Sequence, residues 1–179
     1  GIGLPIAIKL GMASFKQLLK GAHAMDEHFQ SASLRENLPV MLALTGIWNI
    51  NFLGLKAHTI LPYDGRLKLL PNYLSQLEME SNGKSVTNAG ERVDFDTSPV
   101  IWGDVGANAQ HAFFQLLHQG TPAYYADFIV PLRRKASREY TQATRNQLEY
   151  QQALNLANCV AQSRVLMLGD EVLTWEQSL

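Results

Sequence analysis

Two polar segments of the sequence contain residue types suited to proton transfer. Residues 76–84 have the sequence QLEMESNGK, which contains Glu80, and residues 106–111 have the sequence GANAQH, which ends in His111. General acid–base catalysis on a polar substrate requires groups of this kind, a carboxylate and an imidazole. Gln76 precedes Glu80 by four residues, so on a helix its amide would lie on the same face as the carboxylate. We therefore predict Glu80 and His111 as catalytic candidates and Gln76 as a substrate-binding candidate.

Each candidate also has an interpretation without chemistry. Glu80 could be a solvated glutamate near a helix end, because most glutamates are surface residues. His111 could be a histidine whose hydrogen bonds are satisfied at the start of a helix. Local sequence alone favours these structural interpretations, so the choice between them depends on the wider pattern.

Apolar spacing and turn residues predict helices that alternate with short strands. This alternation favours a mostly parallel sheet covered on both faces by helices, an α/β three-layer sandwich. The first part of the chain is predicted to form two or three short helices over 4–30, with breaks at Gly11 and Gly21, and then a central buried helix over 38–55.

The predicted strands are 57–63, 100–103 and 126–131. Between the first two strands we predict a helix over 66–80, which Glu80 closes, and an exposed hairpin or loop over 81–98. A helix carrying His111 and His118 follows the second strand, and the third strand is followed by a surface connection that includes Arg133, Arg134 and Lys135 and by a helix over 148–168.

Several further features have structural interpretations. The turn at 103–106 lacks the glycine pattern of a nucleotide site and contains Asp104, so we interpret it as a turn that positions His111. His111 and His118 have no third ligand at metal spacing, and we predict no metal site. We assign one set of aromatic side chains to the core and Cys159 to a buried, inert thiol. The aromatic set is Trp48, Phe52, Trp102, Phe113 and Phe114.

Taken together, the segments resemble the phosphoglucose isomerase family. Residues 42–48 (LALTGIW) and 61–64 (LPYD) precede the two polar segments in the order and spacing of that family, and the resemblance covers nearly the whole chain. Segment 76–84 is similar to the family motif Met-Glu-Ser-Asn-Gly-Lys, whose glutamate moves the proton. The resemblance implies that role for Glu80 and sugar binding for Gln76.

Segment 106–111 is similar to the family motif Gly-Thr-Asn-Gly-Gln-His, whose histidine takes part in ring opening. The resemblance implies that His111 acts in the active site of the neighbouring subunit of a homodimer. Ala107 stands in place of the threonine and Ala109 in place of the second glycine. Alanine adopts a positive φ less readily than glycine, so the second change bears on the local turn.

The resemblance implies reversible conversion of glucose 6-phosphate to fructose 6-phosphate through a cis-enediol(ate), without metal or organic cofactor. The family's phosphate-binding loop, its enediolate-stabilising arginine and its C-terminal lysine have no counterpart in these 179 residues. We therefore expect residues 1–179 to be one incomplete sugar-isomerase (SIS) domain of a longer chain. Because losing one group that stabilises the enediolate can cost about 3 to 4 kcal/mol, we expect the isolated chain to be inactive or nearly so.

Two other classes of function stay open. The chain could be a non-catalytic sugar-phosphate-binding module that regulates a partner, although such a sensor needs no carbanion base. It could also act only as an assembly surface, where exposed apolar helices pack on another chain.

The composition limits which binding partners and which cellular location we predict. A formal net charge of −1 gives no field that would attract nucleic acid or an anionic membrane, and no apolar stretch approaches the roughly 20 residues that span a bilayer. The single cysteine cannot form an internal disulfide. We therefore predict a cytoplasmic protein that binds neither nucleic acid nor membrane.

Overall fold

The computed structural model describes residues 2–133 and 140–169. Arg134, Lys135 and the last residues of the chain lie outside the described part. The chain divides into two compact units, Gly1–Trp48 and Asn49–Leu179.

The first unit is helical. Helix α1 covers Gly3–Leu10, α2 covers Met12–Ser31 and α3 covers Leu38–Ile47. Gly11, with φ +79°, separates α1 from α2 as predicted. The break predicted at Gly21 is wrong, because α2 continues through it. A glycine inside a helix costs only about 1 kcal/mol relative to alanine, which a 20-residue helix tolerates.

The predicted central helix exists, but its predicted burial is wrong. Asn37 caps α3 by accepting a hydrogen bond from the Val40 amide, and a π-helical turn, Trp48–Phe52, continues the helix. No residue of α3 is buried, and Trp48 and Phe52 are 55% and 68% exposed. A long apolar run is buried only where a partner surface covers it, and within its own unit α3 meets only a small surface of α2.

The second unit contains a three-stranded sheet. Strand β1 covers Ala57–Pro62, β2 covers Val100–Gly103 and β3 covers Tyr124–Ile129. The strand order is β2-β1-β3, and both neighbours pair with β1 in parallel. The parallel sheet predicted from the sequence is thereby confirmed, although β3 begins two residues before its predicted start.

Helices connect and cover these strands. After β1 come a 3₁₀ turn at Gly65–Leu67, helix α4 at Leu70–Ser75 and a π-helical turn at Gln76–Glu80. Helices α5, Gly106–Ala112, and α6, Phe114–Gln119, follow β2, and α7, Gln142–Leu168, follows β3. The single helix predicted to carry both His111 and His118 is divided at Phe113, where φ is −146°. The Phe113 ring packs on Trp102 with its centroid 4.5 Å away, a contact that accompanies this break.

Helices α5, α6 and α7 cover one face of the sheet and form the core with it. Phe114 is buried as predicted, and Trp102 and Phe113 pack against the cluster while partly buried. Cys159 is only 4% exposed, which confirms its predicted burial. The buried cluster consists of Leu61, Tyr63, Ala109, Phe114, Leu117 and Cys159.

The π-helical turn Gln76–Glu80 lies at the other face. Successive side chains of a strand point to opposite faces, so His58 and Tyr125 point away from the face that carries Leu61. Their rings stack with centroids 4.1 Å apart. Burial is the main cause that raises the pKa of Tyr125 to about 12, and the negative charge of Glu78 adds to this shift. Glu78, in the π-helical turn, is therefore close to this second face of the sheet. Helix α4 packs against β1 and β2. The sheet is thus the middle of three layers, as predicted.

The segment between Glu80 and β2 is an exposed hairpin-like loop, as predicted. Val86 and Arg92 form an isolated antiparallel bridge, and Gly90 adopts φ +83° at the tip. Asn51 clamps the far end of the loop, since its side chain accepts from the amide of Asp96 at 2.9 Å and donates to the carbonyl of Asp96 at 3.0 Å. Within the part of the chain that the structure describes, no helix is long and apolar enough to cross a membrane.

Candidate active site

The π-helical turn brings Gln76 and Glu80 together. Nε2 of Gln76 donates a hydrogen bond to Oε2 of Glu80 at 3.2 Å, and both side chains are exposed. The prediction that the amide and the carboxylate lie on one face is therefore correct. Turns of π-helix are rare and are found frequently at functional sites. The pair still offers carboxylate and amide oxygens as acceptors, and one amide N–H as a donor, to whatever binds at this surface.

Lys84 caps the end of this turn. Its Nζ donates to the carbonyl of Glu80 and, at 3.0 Å, to the carbonyl of Ser81. A cation is favourable at a helix C-terminus, where carbonyls lack helical partners. Lys84 therefore holds the backbone of the turn that carries Glu80.

His111 lies on α5, and contacts with the core fix that helix. Nε2 of Gln110 donates to the hydroxyl of Tyr63 at 3.3 Å, and Tyr63 is 2% exposed just after β1. Burial, as the main cause, raises the pKa of Tyr63 to about 12. The adjacent His111 is exposed. The neutral, anchored phenol therefore orients the helix that presents the imidazole.

The backbone of the turn before α5 lies very close to β1. A Cβ added to Gly103, whose φ is +152°, would lie 2.0 Å from the carbonyl oxygen of Ile60. Oδ1 of Asp104 accepts from the amide of Val105 at 2.6 Å, which removes that N–H from any role in binding an anion. Glycine at 103 thus lets the turn pass close to β1.

Ala109 does not disturb this region. It lies inside α5, is fully buried and belongs to the core cluster. No residue other than glycine has a positive φ among residues 2–133 and 140–169. The backbone at this position is therefore one that alanine adopts freely.

The structure does not bring His111 and Glu80 of one chain together. In the described part of the chain, no hydrogen bond or ion pair joins the two side chains, and α5 lies on the opposite face of the sheet from the turn of Glu80.

A polar pair near the turn was not anticipated from the sequence. Nε2 of His58 lies 3.0 Å from Oδ2 of Asp127, and the His58 side chain is 11% exposed. His58 and Asp127 lie on adjacent parallel strands, and their contact is diagonal, since His58 is opposite Tyr125 and Asp127 is opposite Ile60. Their pairing depends on the register of β1 and β3, which no local pattern in the sequence reveals.

Side chains of the types that bind metal ions do not cluster among the described residues. No group of three or more histidine, cysteine, aspartate or glutamate side chains there could hold a metal ion.

Comparisons with known proteins agree with this fold. The phosphoglucose isomerase family model matches residues 1–178. The chain is 63% identical over 172 residues to glucose-6-phosphate isomerase 2 of Chromohalobacter salexigens, covering 96% of this chain and 31% of the relative. It is 58% identical over 172 residues to glucose-6-phosphate isomerase of Psychrobacter cryohalolentis, covering 96% of this chain and 30% of the relative.

A solved structure has the same fold. The crystal structure of a glucose-6-phosphate isomerase from Chlamydia trachomatis superposes with a TM-score of 0.72 and 40% identity, covering 87% of this chain and 29% of that chain. The chain thus spans less than a third of the length of these relatives.

The parallel sheet between helices defines an α/β protein of the SIS type, and its π-helical turn exposes a hydrogen-bonded amide and carboxylate. The match of the family model over nearly the whole chain gives the particular family. The chain belongs to the phosphoglucose isomerase family.

Proposed function

We propose that this chain supplies the proton-transfer part of a glucose-6-phosphate isomerase. Glu80 moves the proton between C1 and C2 of the opened sugar through a cis-enediol(ate), Gln76 binds the sugar, and His111 assists ring opening. The step is a proton transfer within one molecule, so it needs neither an oxidant nor a reductant. The observation that supports it most directly is the hydrogen bond of 3.2 Å between Gln76 and Glu80 on an exposed π-helical turn.

The chemistry follows from the groups on this turn. A carboxylate can remove a proton from a carbon next to a carbonyl and return it to the adjacent carbon. The Gln76 amide holds one carboxylate oxygen and leaves the other to face the substrate. Gln76 and Glu80 are exposed in this chain, which suits a site whose remaining residues come from other parts of the protein.

The relatives provide the means to test the activity. In a chimera, this chain replaces the matching segment of the Chromohalobacter salexigens relative, and conversion of fructose 6-phosphate is followed by a coupled dehydrogenase assay. We expect the chimera to be active and Glu80→Gln to lower kcat by about 10² to 10⁴-fold, the usual range for a general acid–base group. Glu91→Gln, in the exposed loop, is the matched control, and we expect it to keep full activity. Equal activity of Glu80→Gln and the control would show that the role of Glu80 is wrong.

We further propose that the enzyme is a homodimer in which His111 acts in the neighbouring subunit's site. This arrangement is supported by the position of α5, which packs on the opposite face of the sheet from the π-helical turn, and by the lack of a hydrogen bond or ion pair between His111 and Glu80 among the described residues. The exposure of both side chains also supports it.

Complementation between two inactive variants tests the dimer. Chimeras with Glu80→Gln and with His111→Gln are co-expressed with different tags, and the mixed dimer is purified. If His111 acts across the interface, one site of the mixed dimer contains both native residues, and we expect about half of the unsubstituted activity. If both residues act within one chain, both sites are damaged and the mixed dimer stays inactive.

The isolated chain serves a separate comparison. We expect purified 1–179 to show little or no isomerisation, because the phosphate-binding and enediolate-stabilising motifs of the family have no counterpart in it. If the chimera with the Chromohalobacter salexigens relative bound fructose 6-phosphate without converting it, the result would instead favour the alternative, a sugar-phosphate-binding regulatory module. The presence of Glu80 and Gln76 as a pair favours the enzyme.

We propose that residues 1–179 belong to one incomplete SIS domain, which the match of one family model to residues 1–178 supports. A cytoplasmic location is supported by the single cysteine and by the predicted sugar-phosphate substrate.

A further inference from the structure

Met79 links the turn that carries Glu80 to the edge of the sheet. Its Sδ accepts a hydrogen bond from the backbone amide of Ile101, in β2, at 3.3 Å. The hydroxyl of Ser75, one turn earlier, donates to the same sulfur, also at 3.3 Å. The sulfur is therefore contacted both from its own helix and from the neighbouring strand.

The amide of Ile101 has no strand partner on that side. The Val100 amide donates to the carbonyl of Lys56 at 2.9 Å, so it points towards β1. Amides alternate in direction along a strand, and the amide of Ile101 therefore points away from β1. In the described sheet β2 is an edge strand, paired with β1 alone. Since Ile101 is only 4% exposed, its amide needs a partner other than water, and the thioether supplies it.

The backbone of Met79 is held as firmly as its side chain. The amide of Gly83 donates to the carbonyl of Met79 at 3.0 Å. A Cβ at position 83 would lie 2.3 Å from that carbonyl oxygen, so the chain passes Met79 at a distance that only glycine permits. Two fixed points on Met79 leave little freedom to the next residue, which is Glu80.

We infer that Met79 is a positioning residue for the isomerisation and fixes the Glu80 carboxylate by anchoring the π-helical turn to the Ile101 amide. This inference rests on the proposed function of Glu80. The sulfur of Met79 contacts strand β2 and makes no hydrogen bond with the Glu80 carboxylate. Its sulfur acts through the backbone that connects it to the catalytic carboxylate.

Two substitutions separate the hydrogen bond from packing. Met79→Leu keeps the apolar volume and removes the acceptor, whereas Met79→Gln keeps an acceptor on an unbranched side chain of similar length. Met25→Leu, in α2, is the control for loss of a thioether elsewhere. The three variants are made in the chimera with the Chromohalobacter salexigens relative.

Two measurements are made on each variant. Hydrogen exchange of the Ile101 amide reports the contact itself, and kcat and KM for fructose 6-phosphate report its effect on the reaction. We expect Met79→Leu to speed the exchange of the Ile101 amide and to lower kcat by about tenfold with KM unchanged, since an interaction that only aligns the base acts on the transition state. We expect Met79→Gln to restore both values to within about threefold, and Met25→Leu to leave both at the unsubstituted values.

Distinct results would overturn this inference and the proposed function. Unchanged exchange in Met79→Leu, unchanged kcat in that variant, or a Met79→Gln variant as impaired as Met79→Leu would each show that the sulfur does not position Glu80. An active chimera that tolerates Glu80→Gln would instead remove the proposed function, whatever the exchange of Ile101 shows.

Discussion

The ring of Tyr63 lies so close to Gly106 that a Cβ on this glycine would be 2.2 Å from the ring carbon Cε2. Tyr63 follows β1, and Gly106 is the first residue of α5. The absence of a side chain at 106 therefore lets the helix that carries His111 start directly against the core.

We predict that Gly106→Ala destabilises the protein by about 1 to 3 kcal/mol, because an added methyl group overpacks a well-filled region. Gly65→Ala is the matched control in the same unit, since a Cβ there meets nothing within 4 Å and its φ is not positive. Urea unfolding of both variants measures the difference. Equal stability of the two would show that the Tyr63 ring moves aside at little cost.

Tyr63 also predicts a pH dependence of stability. Burial raises its pKa from an ordinary value of 10 to about 12, so folding favours the neutral phenol. The resulting stabilisation is fully present below pH 10 and is lost as the pH rises from 10 through 12. Titration of tyrosinate absorbance should show late ionisation of Tyr63 in the native protein, together with Tyr125, whose pKa is also about 12.

The variant Tyr63→Phe tests this assignment. We expect it to remove one late-ionising tyrosine and to weaken the loss of stability above pH 10, because phenylalanine does not ionise. It also leaves the amide of Gln110 without its partner, so we expect a loss of about 1 kcal/mol at neutral pH. Tyr150→Phe, at a position that is 65% exposed, is the control.

Cys159 offers a probe of the packing of α7 on the sheet. Burial raises the pKa of its thiol, which lowers the fraction of reactive thiolate. We predict that the native chain reacts with a thiol reagent at least about tenfold more slowly than the urea-unfolded chain. Because the sequence has one cysteine, the reaction reports this position alone. Equal rates in the two states would mean that α7 does not cover the thiol in solution.

We predict that Gln76→Leu in the chimera lowers kcat/KM by about 10 to 100-fold, less than the loss expected for Glu80→Gln. The leucine cannot donate to Oε2 of Glu80, so the carboxylate loses an orienting hydrogen bond while the base itself remains. Steady-state kinetics on fructose 6-phosphate measure the loss. A Gln76→Leu variant with unchanged kinetics would show that the amide neither orients Glu80 nor binds the sugar. Gln119→Leu, at another exposed helical glutamine, serves as the control.

The sequence was sufficient to predict the parallel sheet because strand signals are local. Short β-branched and apolar runs with glycine or proline at their ends identified β1 and β2 to within one residue of their bounds. The i, i+4 spacing of Gln76 and Glu80 likewise predicted their contact, although the turn is π-helical. Local patterns suffice when the partner is nearby in the chain.

Burial was harder to predict because it depends on distant surfaces. Trp48, Phe52 and the apolar residues of α3 have the composition of a core, yet they are exposed. The separation of His111 and Glu80 by the sheet, and the contact between His58 and Asp127, depend on strand order and register. The contact of Met79 with Ile101 and that of Tyr63 with Gln110 were also not predicted, because nothing in these residue types indicates such a partner.

The loop between Glu80 and β2 is fastened at both ends, by Lys84 at its start and by Asn51 at its finish. Closing a loop costs only about 0.6 kcal/mol more for each doubling of its length. Extra residues inserted at the tip, near Gly90, should therefore enlarge the loop without moving its fixed ends. The tip is thus a suitable place to attach a fluorophore or an epitope tag on this protein without displacing the acidic side chain at position 80.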